Sequence, residues 1–415
     1  MKLKTLVCLS LITLVATLAT AQRNSLLPGP VMGGDGLVDW AQFNFDAAQD
    51  GYNPYETILS PTTVGNVTLK WSYTPSEGPV EASPVVANSA IYFVAEYNNY
   101  PPKVAVYALD ANTGDFIWKY VPAAPAYGSP AVANGLVYVV AGHVYALDAS
   151  TGAVIWQSQD SSCDFSPTFA NGKVFVVCDL NLVYALDAQT ARPIWQYSTK
   201  GKILSSPAVT NGMLYVNSGY RNVYALNVET GAVKWEKQLG PILSPLTFAN
   251  QSGSGQTVAN GVLYVGITTL GDHLYALDVS TGALIWKVDG IALNFNCTPA
   301  VANGVLYVPY GAFVYALNAS TGATIWKYQV YAGTTSAASP VVANGVVYVP
   351  SAWCCAFGLG RVVTAAVDAS TGMWLWDDTQ NSYEYGAYLP TPAVVNGTIY
   401  TTIDARFGAF GLPNM

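Results

Sequence analysis

Ala108-Leu109-Asp110-Ala111-Asn112-Thr113-Gly114-Asp115-Phe116-Ile117-Trp118 decides the fold, because the chain keeps returning to its pattern. That pattern is Ala-x-Asp/Asn-x-x-Thr-Gly-x-x-x-Trp. It recurs from Asp148 to Trp156, Asp187 to Trp195, Asn227 to Trp235, Asp278 to Trp286, Asn318 to Trp326 and Asp368 to Trp376. In the copy that starts at Asp187, Ala191 stands where the others have Gly. Successive tryptophans lie 38, 39, 40, 51, 40 and 50 residues apart. A period of this length means stacked supersecondary units, none able to bury its apolar faces alone.

Between the copies, Ser/Thr-Pro opens a valine-rich run that passes through Asn-Gly into Tyr-Val, as at Ser129-Pro130, Asn134-Gly135 and Tyr138-Val139. Asn-Gly between apolar alternations is a hairpin signal, since a type I′ turn needs positive φ at both central residues. Each unit therefore reads as four strands: an inner one from Ser-Pro, a second after Asn-Gly, a third on Val-Tyr-Ala-Leu, and a fourth carrying the Trp. Asp-x-x-Thr-Gly joins the last two, its Asp or Asn side chain holding backbone amides. Strand starts occur at Pro84, Pro130, Pro167, Pro207, Pro245, Pro299, Pro340 and Pro392. The eighth blade Trp is Trp71, ahead of the first Ser-Pro, while the last repeat stops after its third strand. The predicted fold is all-β, an eight-bladed β-propeller of four-stranded antiparallel blades. Pairing N-terminal and C-terminal strands in one blade closes the ring and removes an exposed edge.

Charged residues make up 10% of the chain against about 25% in an ordinary domain, and aromatics make up 13%. Disorder is excluded by that balance. A net charge of −8 without a Lys/Arg run argues against a nucleic-acid partner. Met1 to Lys4, the apolar stretch Thr5 to Leu18 and the small residues Ala19-Thr20-Ala21 read as a secretory signal peptide, residues 1–21. The expectation is cleavage after Ala21 and export to the periplasm or beyond. No membrane span is expected, nor a lipid anchor, since Cys8 lies inside the apolar stretch. Residues 22–62 then form a lead-in segment and 63–412 the propeller.

The turn-plus-Trp motif resembles the tryptophan-docking repeat of pyrroloquinoline-quinone (PQQ) propellers. The stretch Trp40-x-x-Phe43, Asp46, Gly51-Tyr52-Asn53-Pro54, Ile58, Val64-Gly65-Asn66-Val67 and Leu69-Lys70-Trp71 resembles the N-terminal segment of quinoprotein alcohol dehydrogenases. The resemblance spans about residues 38 to 412. It implies an axial channel whose mouth gathers the loops before the inner strands and after the second strands. In the dehydrogenases it implies PQQ with Ca2+, the ion held by Glu, Asn and Asp oxygens. Three places before the blade prolines, Glu81, Asp164 and Asn296 have that hard-donor chemistry, in blades one, three and six. Cys354-Cys355 follows Trp353 in the loop after the second strand of blade seven. Adjacent cysteines can close a disulfide ring, which in methanol-dehydrogenase-like proteins packs against the quinone, although there the pair sits in an early blade. The same repeat also builds a non-enzymatic outer-membrane assembly scaffold, so fold does not carry function.

Cys163 and Cys178 flank the Asn171-Gly172 hairpin two residues out of direct register, so a cross-strand bridge requires the ladder to fray, and Cys297 is left over. His143 and His273 begin third strands with no zinc spacing around them. No phosphate loop or nucleophile elbow is present. Aromatics such as Phe165, Tyr310, Phe313 and Trp353, with Arg221, Arg361 and Arg406, fall near the mouth and suit a flat ligand, a sugar or a peptide. The reading is an exported, non-catalytic module that binds a small molecule, glycan or envelope protein there. The alternatives are a Ca-assisted PQQ-dependent alcohol or sugar dehydrogenase and an envelope assembly scaffold.

Overall fold

The computed structural model describes residues 36–80, 82–97, 103–126, 128–160, 162–203, 205–218, 221–240, 255–267, 272–293, 297–330, 334–354, 360–378, 390–403 and 406–413, without the side chains of 97, 103, 334–337, 352–354 and 360–362. Eight sheets form, as the repeat count predicts. Blade one consists of Val85–Ala87, Ala90–Tyr97, Lys103–Asp110 and Phe116–Tyr120. Blades two to six repeat that antiparallel order. In blade eight, Ala393–Val395, Thr398–Ile403 and Arg406–Gly411 are completed by Thr68–Tyr73 from the start of the chain, antiparallel through Trp71↔Ala409 and Tyr73↔Phe407. The ring is closed by the predicted shared blade.

The local chemistry behaves as the sequence dictates. Asn134 and Gly135 take φ of 53° and 76°, the two left-handed positions of the type I′ hairpin. Asp148 Oδ1 accepts the amides of Ser150 and Thr151 at 3.0 and 2.9 Å, and Asn227 and Asn318 do the same in their blades. Middle strands are buried on both faces, whereas a fourth strand such as Pro193–Ser198 alternates exposed and half-buried residues. The core therefore lies between blades. Tyr92, Val94, Val106 and Ala108 of blade one, for example, pack on Val132, Val137 and Val139 of blade two.

At most seams one carbonyl receives two donors from the preceding blade; between blades three and four, where Phe175 stands in the tyrosine's place, Val228 O accepts the Trp195 indole alone. Ala149 O accepts the Trp118 indole N–H at 2.9 Å and the Tyr92 hydroxyl at 3.1 Å; Ala319 O accepts Trp286 and Tyr264 in the same way. Each bond contributes about 1 kcal/mol net, and each lets a large aromatic side chain be buried with its polar atom satisfied. The seam between blades seven and eight differs. Blade eight takes its outer strand from the chain's start, so it has no turn to offer a carbonyl. There Trp376 meets Phe410 edge-on at 5.1 Å, and the buried Tyr348 hydroxyl has no hydrogen-bond partner among the described residues. Nearby, the Glu56 carboxylate accepts the amides of Ile58, Leu59 and Gly397 at 2.7, 3.0 and 2.9 Å, tying the lead-in segment to the blade-eight hairpin.

Two expectations need correcting. The inner strand of blade five is Gln256–Ala259, which has no Ser/Thr-Pro; Ser244-Pro245 lies outside the described residues. Blade seven carries extra strands: Thr334–Ala337 pairs with Val346–Cys354, and Tyr52–Asn53 lies parallel to Val341–Ala343. Trp353 and Cys354 are thus the end of a nine-residue strand rather than a loop. A ladder on each side holds that strand extended, with Thr334↔Trp353 on one edge and Trp353↔Arg361 and Cys354↔Gly360 on the other.

Candidate functional site: the axis and its mouth

Two hydrogen-bonded circles line the axis. The first explains the Ser/Thr-Pro motif. Ser129 N donates to Ser166 Oγ at 2.9 Å, Ser166 N to Ser206 Oγ at 3.0 Å, Thr298 N to Ser339 Oγ at 2.9 Å and Thr391 N to Ser83 Oγ at 2.8 Å. Each hydroxyl binds the blade before it, and the proline that follows brings no amide to satisfy. In blade five Gln256 takes this place, donating to Ser206 O at 2.6 Å and accepting from Ser205 Oγ at 2.8 Å.

The second circle is made by the lead-in segment. Val86 N donates to Trp40 O, Val132 N to Ala41 O, Phe169 N to Gln42 Oε1, Val209 N to Ala47 O, Val258 N to Ala48 O, Val301 N to Asp50 O and Val342 N to Gly51 O. Asn53 Nδ2 closes the circle on Val394 O at 2.9 Å. Residues 40–53 thereby reach every blade by bonds two residues beyond the strand-opening position, and Gln49 adds bonds to Pro207 O and from Thr257 Oγ1. The lead-in segment thus crosses the axis at this level.

At the mouth, Asp164 is the predicted cofactor residue whose side chain the structure describes. A bulge between Asp164 and Thr168 sets three residues, 165–167, against Val176 alone. The ladder shifts by two, and Cys163 comes directly opposite Cys178, where the two are disulfide-linked. The sequence register, extrapolated straight from the hairpin, missed this because it contained no bulge. Phe165 takes φ of 68° there and packs against the cluster of Phe175, Ile203 and Tyr224, so it serves packing rather than a ligand. The Asp164 carboxyl is half-buried and held above the ordinary carboxylate range by that burial. Cys297 takes no part in the bridge; burial pushes its thiol up to about 12.

Glu81, Asn296 and Cys355 lie outside the described residues, and Trp353 and Cys354 are described by backbone alone. Tyr310 is half-buried, its hydroxyl hydrogen-bonded to Asp272, and Lys327 lies over the Phe313 ring at 5.1 Å. His143 Nδ1 lies 3.1 Å from Ser158 O. The pattern reading missed Glu96, at the mouth end of blade one's second strand. It is fully buried, and desolvation raises its carboxyl against the lowering effect of the Ala126 backbone amide. An acidic residue closing an apolar alternation, Ala90-Ile91-Tyr92-Phe93-Val94-Ala95-Glu96, was the available signal. As for the implied calcium and quinone, of the three implied oxygen donors Glu81, Asp164 and Asn296, Asp164 alone lies among the described residues. No group of three His, Cys, Asp or Glu gathers among the described residues. These residues do not make up the implied donor set, and no chemical step is derived through it.

A family model described as outer membrane protein assembly factor BamB matches residues 68–166, 141–254 and 240–410. Quinohemoprotein alcohol dehydrogenase ADH-IIG of Pseudomonas putida is 35% identical over 85 residues, 20% of this chain and 11% of that protein. The chain thus aligns with only about a tenth of that relative. Among solved structures, quinohemoprotein alcohol dehydrogenase from Comamonas testosteroni superposes with a TM-score of 0.71 at 17% identity, covering 91% of this chain and 81% of that one. BamB from Moraxella catarrhalis gives 0.64 at 19% identity, covering 83% and 99%. At these identities the superpositions speak to the fold alone. Among the described residues no helix is long and apolar enough to cross a membrane.

Proposed function

Because the chain belongs to the PQQ-like repeat family, whose matching model carries the assembly-factor description, we propose that it is an exported propeller whose mouth binds a ligand or an envelope protein without catalysis. The crossed axis supports this reading most directly: residues 40–53 bond to all eight blades across the channel, which leaves the mouth as the face open to a partner. The rim is stiff where it is described, since the Cys163–Cys178 bridge pins the bulge that presents Asp164. A pinned surface with a few polar groups suits recognition at low entropic cost.

A PQQ-dependent dehydrogenase is the second reading, favoured by the 85-residue likeness to a quinohemoprotein alcohol dehydrogenase. The two separate in one experiment: the purified chain is mixed with PQQ and Ca2+, and alcohol-dependent dye reduction is followed. Binding without turnover supports a module. Turnover proportional to bound quinone, lost in Asp164→Asn, establishes the dehydrogenase instead.

A further inference from the structure

The seam between blades seven and eight is held differently from its neighbours. On one side of it, Tyr307 and Trp326 both donate to Ala369 O at 3.1 Å; on the other, Tyr400 and Trp71 donate to Ala111 O at 3.1 and 3.0 Å. Blade eight offers no such turn. The Tyr348 hydroxyl, fully buried at the equivalent place, has no hydrogen-bond partner among the described residues.

Residues 54–67 lie over this seam instead, as the hairpin glycines show. A Cβ on Gly135, Gly172, Gly212, Gly261 or Gly304 would meet nothing within 4 Å. On Gly345 of blade seven it would stand 3.6 Å from Pro61, and on Gly397 of blade eight 3.0 Å from Ile58. The segment meets blade seven again at Gly65, where a Cβ would lie 3.5 Å from Leu375 O. Between these points Leu59 and Val64 are fully buried and join Tyr348, Trp376, Ile399 and Phe410 in one core cluster.

One carboxylate ties the segment down. Glu56, 4% exposed, accepts Ile58 N and Leu59 N on Oε1 and Gly397 N on Oε2. The first oxygen folds the segment on itself, and the second fastens it to blade eight. Bonds to a charged acceptor are the strong ones, and a buried charge without donors is costly. Gly51 and Tyr52 stay with blade seven, through Val342 N on Gly51 O and the parallel pairing Tyr52↔Val342. From that anchor the chain crosses the seam to Thr68–Tyr73 of blade eight.

We propose that the ring opens at this seam, with residues 54–67 as a releasable strap and Glu56 as its fastening. Elsewhere the carbonyl that closes a seam belongs to a turn built into its own blade. Here closure depends on a segment that can leave, so blade eight separates from blade seven while the other seams stay shut. Release uncovers the facing side chains of Tyr348, Trp376 and Phe410, and the freed strap keeps the two blades tethered. The opening does not depend on what the mouth binds.

The test is residue-resolved hydrogen exchange of the full chain in urea below its unfolding transition. In the wild-type chain the amides of Ile58, Leu59 and Gly397 should exchange through one shared opening. That opening should need less urea than exchange at Ala149, Ala188 and Ala319, whose turns receive the indoles at other seams. Glu56→Gln places an amino group where Gly397 N needs an acceptor. It should speed exchange at Ile58, Leu59 and Gly397 together, at least about tenfold, and leave Ala149, Ala188 and Ala319 unchanged. A rise confined to Gly397 reports one lost bond and overturns the strap, as does no rise, or a rise at every seam alike. Should the variant fail to fold, the wild-type comparison decides: strap and turn amides exchanging at the same urea concentration overturn the proposal.

Discussion

The indole of Trp71 lies flat against Gly114 of the next blade: Nε1 donates to Ala111 O at 3.0 Å, and a Cβ on Gly114 would stand 2.6 Å from Trp71 Cδ2. Gly114 also has φ of 75°, so both the contact and the backbone demand glycine. Gly114→Ala should cost about 2–4 kcal/mol, adding overpacking to left-handed strain. Urea unfolding followed by tryptophan fluorescence measures it; a loss below half a unit would mean the seam yields easily.

Ala191 stands at the glycine's position in the turn whose Ala188 O accepts the Trp156 indole, with φ of 61°. The strain that glycine avoids elsewhere is present here. Ala191→Gly should stabilise the chain by about 0.5–1 kcal/mol, the strain relieved exceeding the added freedom of the unfolded chain. A destabilised variant in the same assay contradicts this.

The Cys163–Cys178 link closes a loop of 15 residues. Its removal in Cys163→Ser/Cys178→Ser should cost about 3 kcal/mol by chain entropy. Hydrogen exchange should rise at residues 163–168, where the bulge holds Asp164. Peptide mapping without reductant should recover 163 joined to 178, with Cys297 outside the link.

Asp148, Asp187, Asp278 and Asp368 are held below the ordinary carboxylate range by hydrogen bonds, from Ser and Thr hydroxyls first. A depressed folded pKa gives stability that is present above the unfolded value of 3.8 and is lost as pH falls through the folded value. The turns should therefore loosen together below about pH 4. Asn227 and Asn318 already serve the same role uncharged. Replacing all four aspartates by Asn should flatten the acid limb of the melting-temperature profile, and an unchanged limb would refute their part in it.

How much of this was legible follows from where periodicity exists. Hairpins, docking tryptophans and the shared eighth blade repeat about every 40 residues and could be read from Asn134-Gly135 or Asp110 to Trp118 alone. The circle of residues 40–53 could not. Its contacts pass from blade to blade around the ring, so its spacing follows the angular step of the ring, with no strand or helix period. The Cys163–Cys178 pairing was hidden by a bulge at Phe165, a residue not typical of positive φ. Glu96 escaped because one acidic residue at a strand end looks like any solvated charge until its burial is known.

Site-resolved hydrogen exchange at the amides of Val86, Val132, Phe169, Val209, Val258, Val301 and Val342 tests the crossed axis most directly. If the lead-in segment receives one amide from each of these blades, all seven should exchange slowly and to similar extents. All should become fast together when residues 36–53 are deleted. Protection confined to some blades, or unaltered by the deletion, would contradict a crossing bonded to the whole ring.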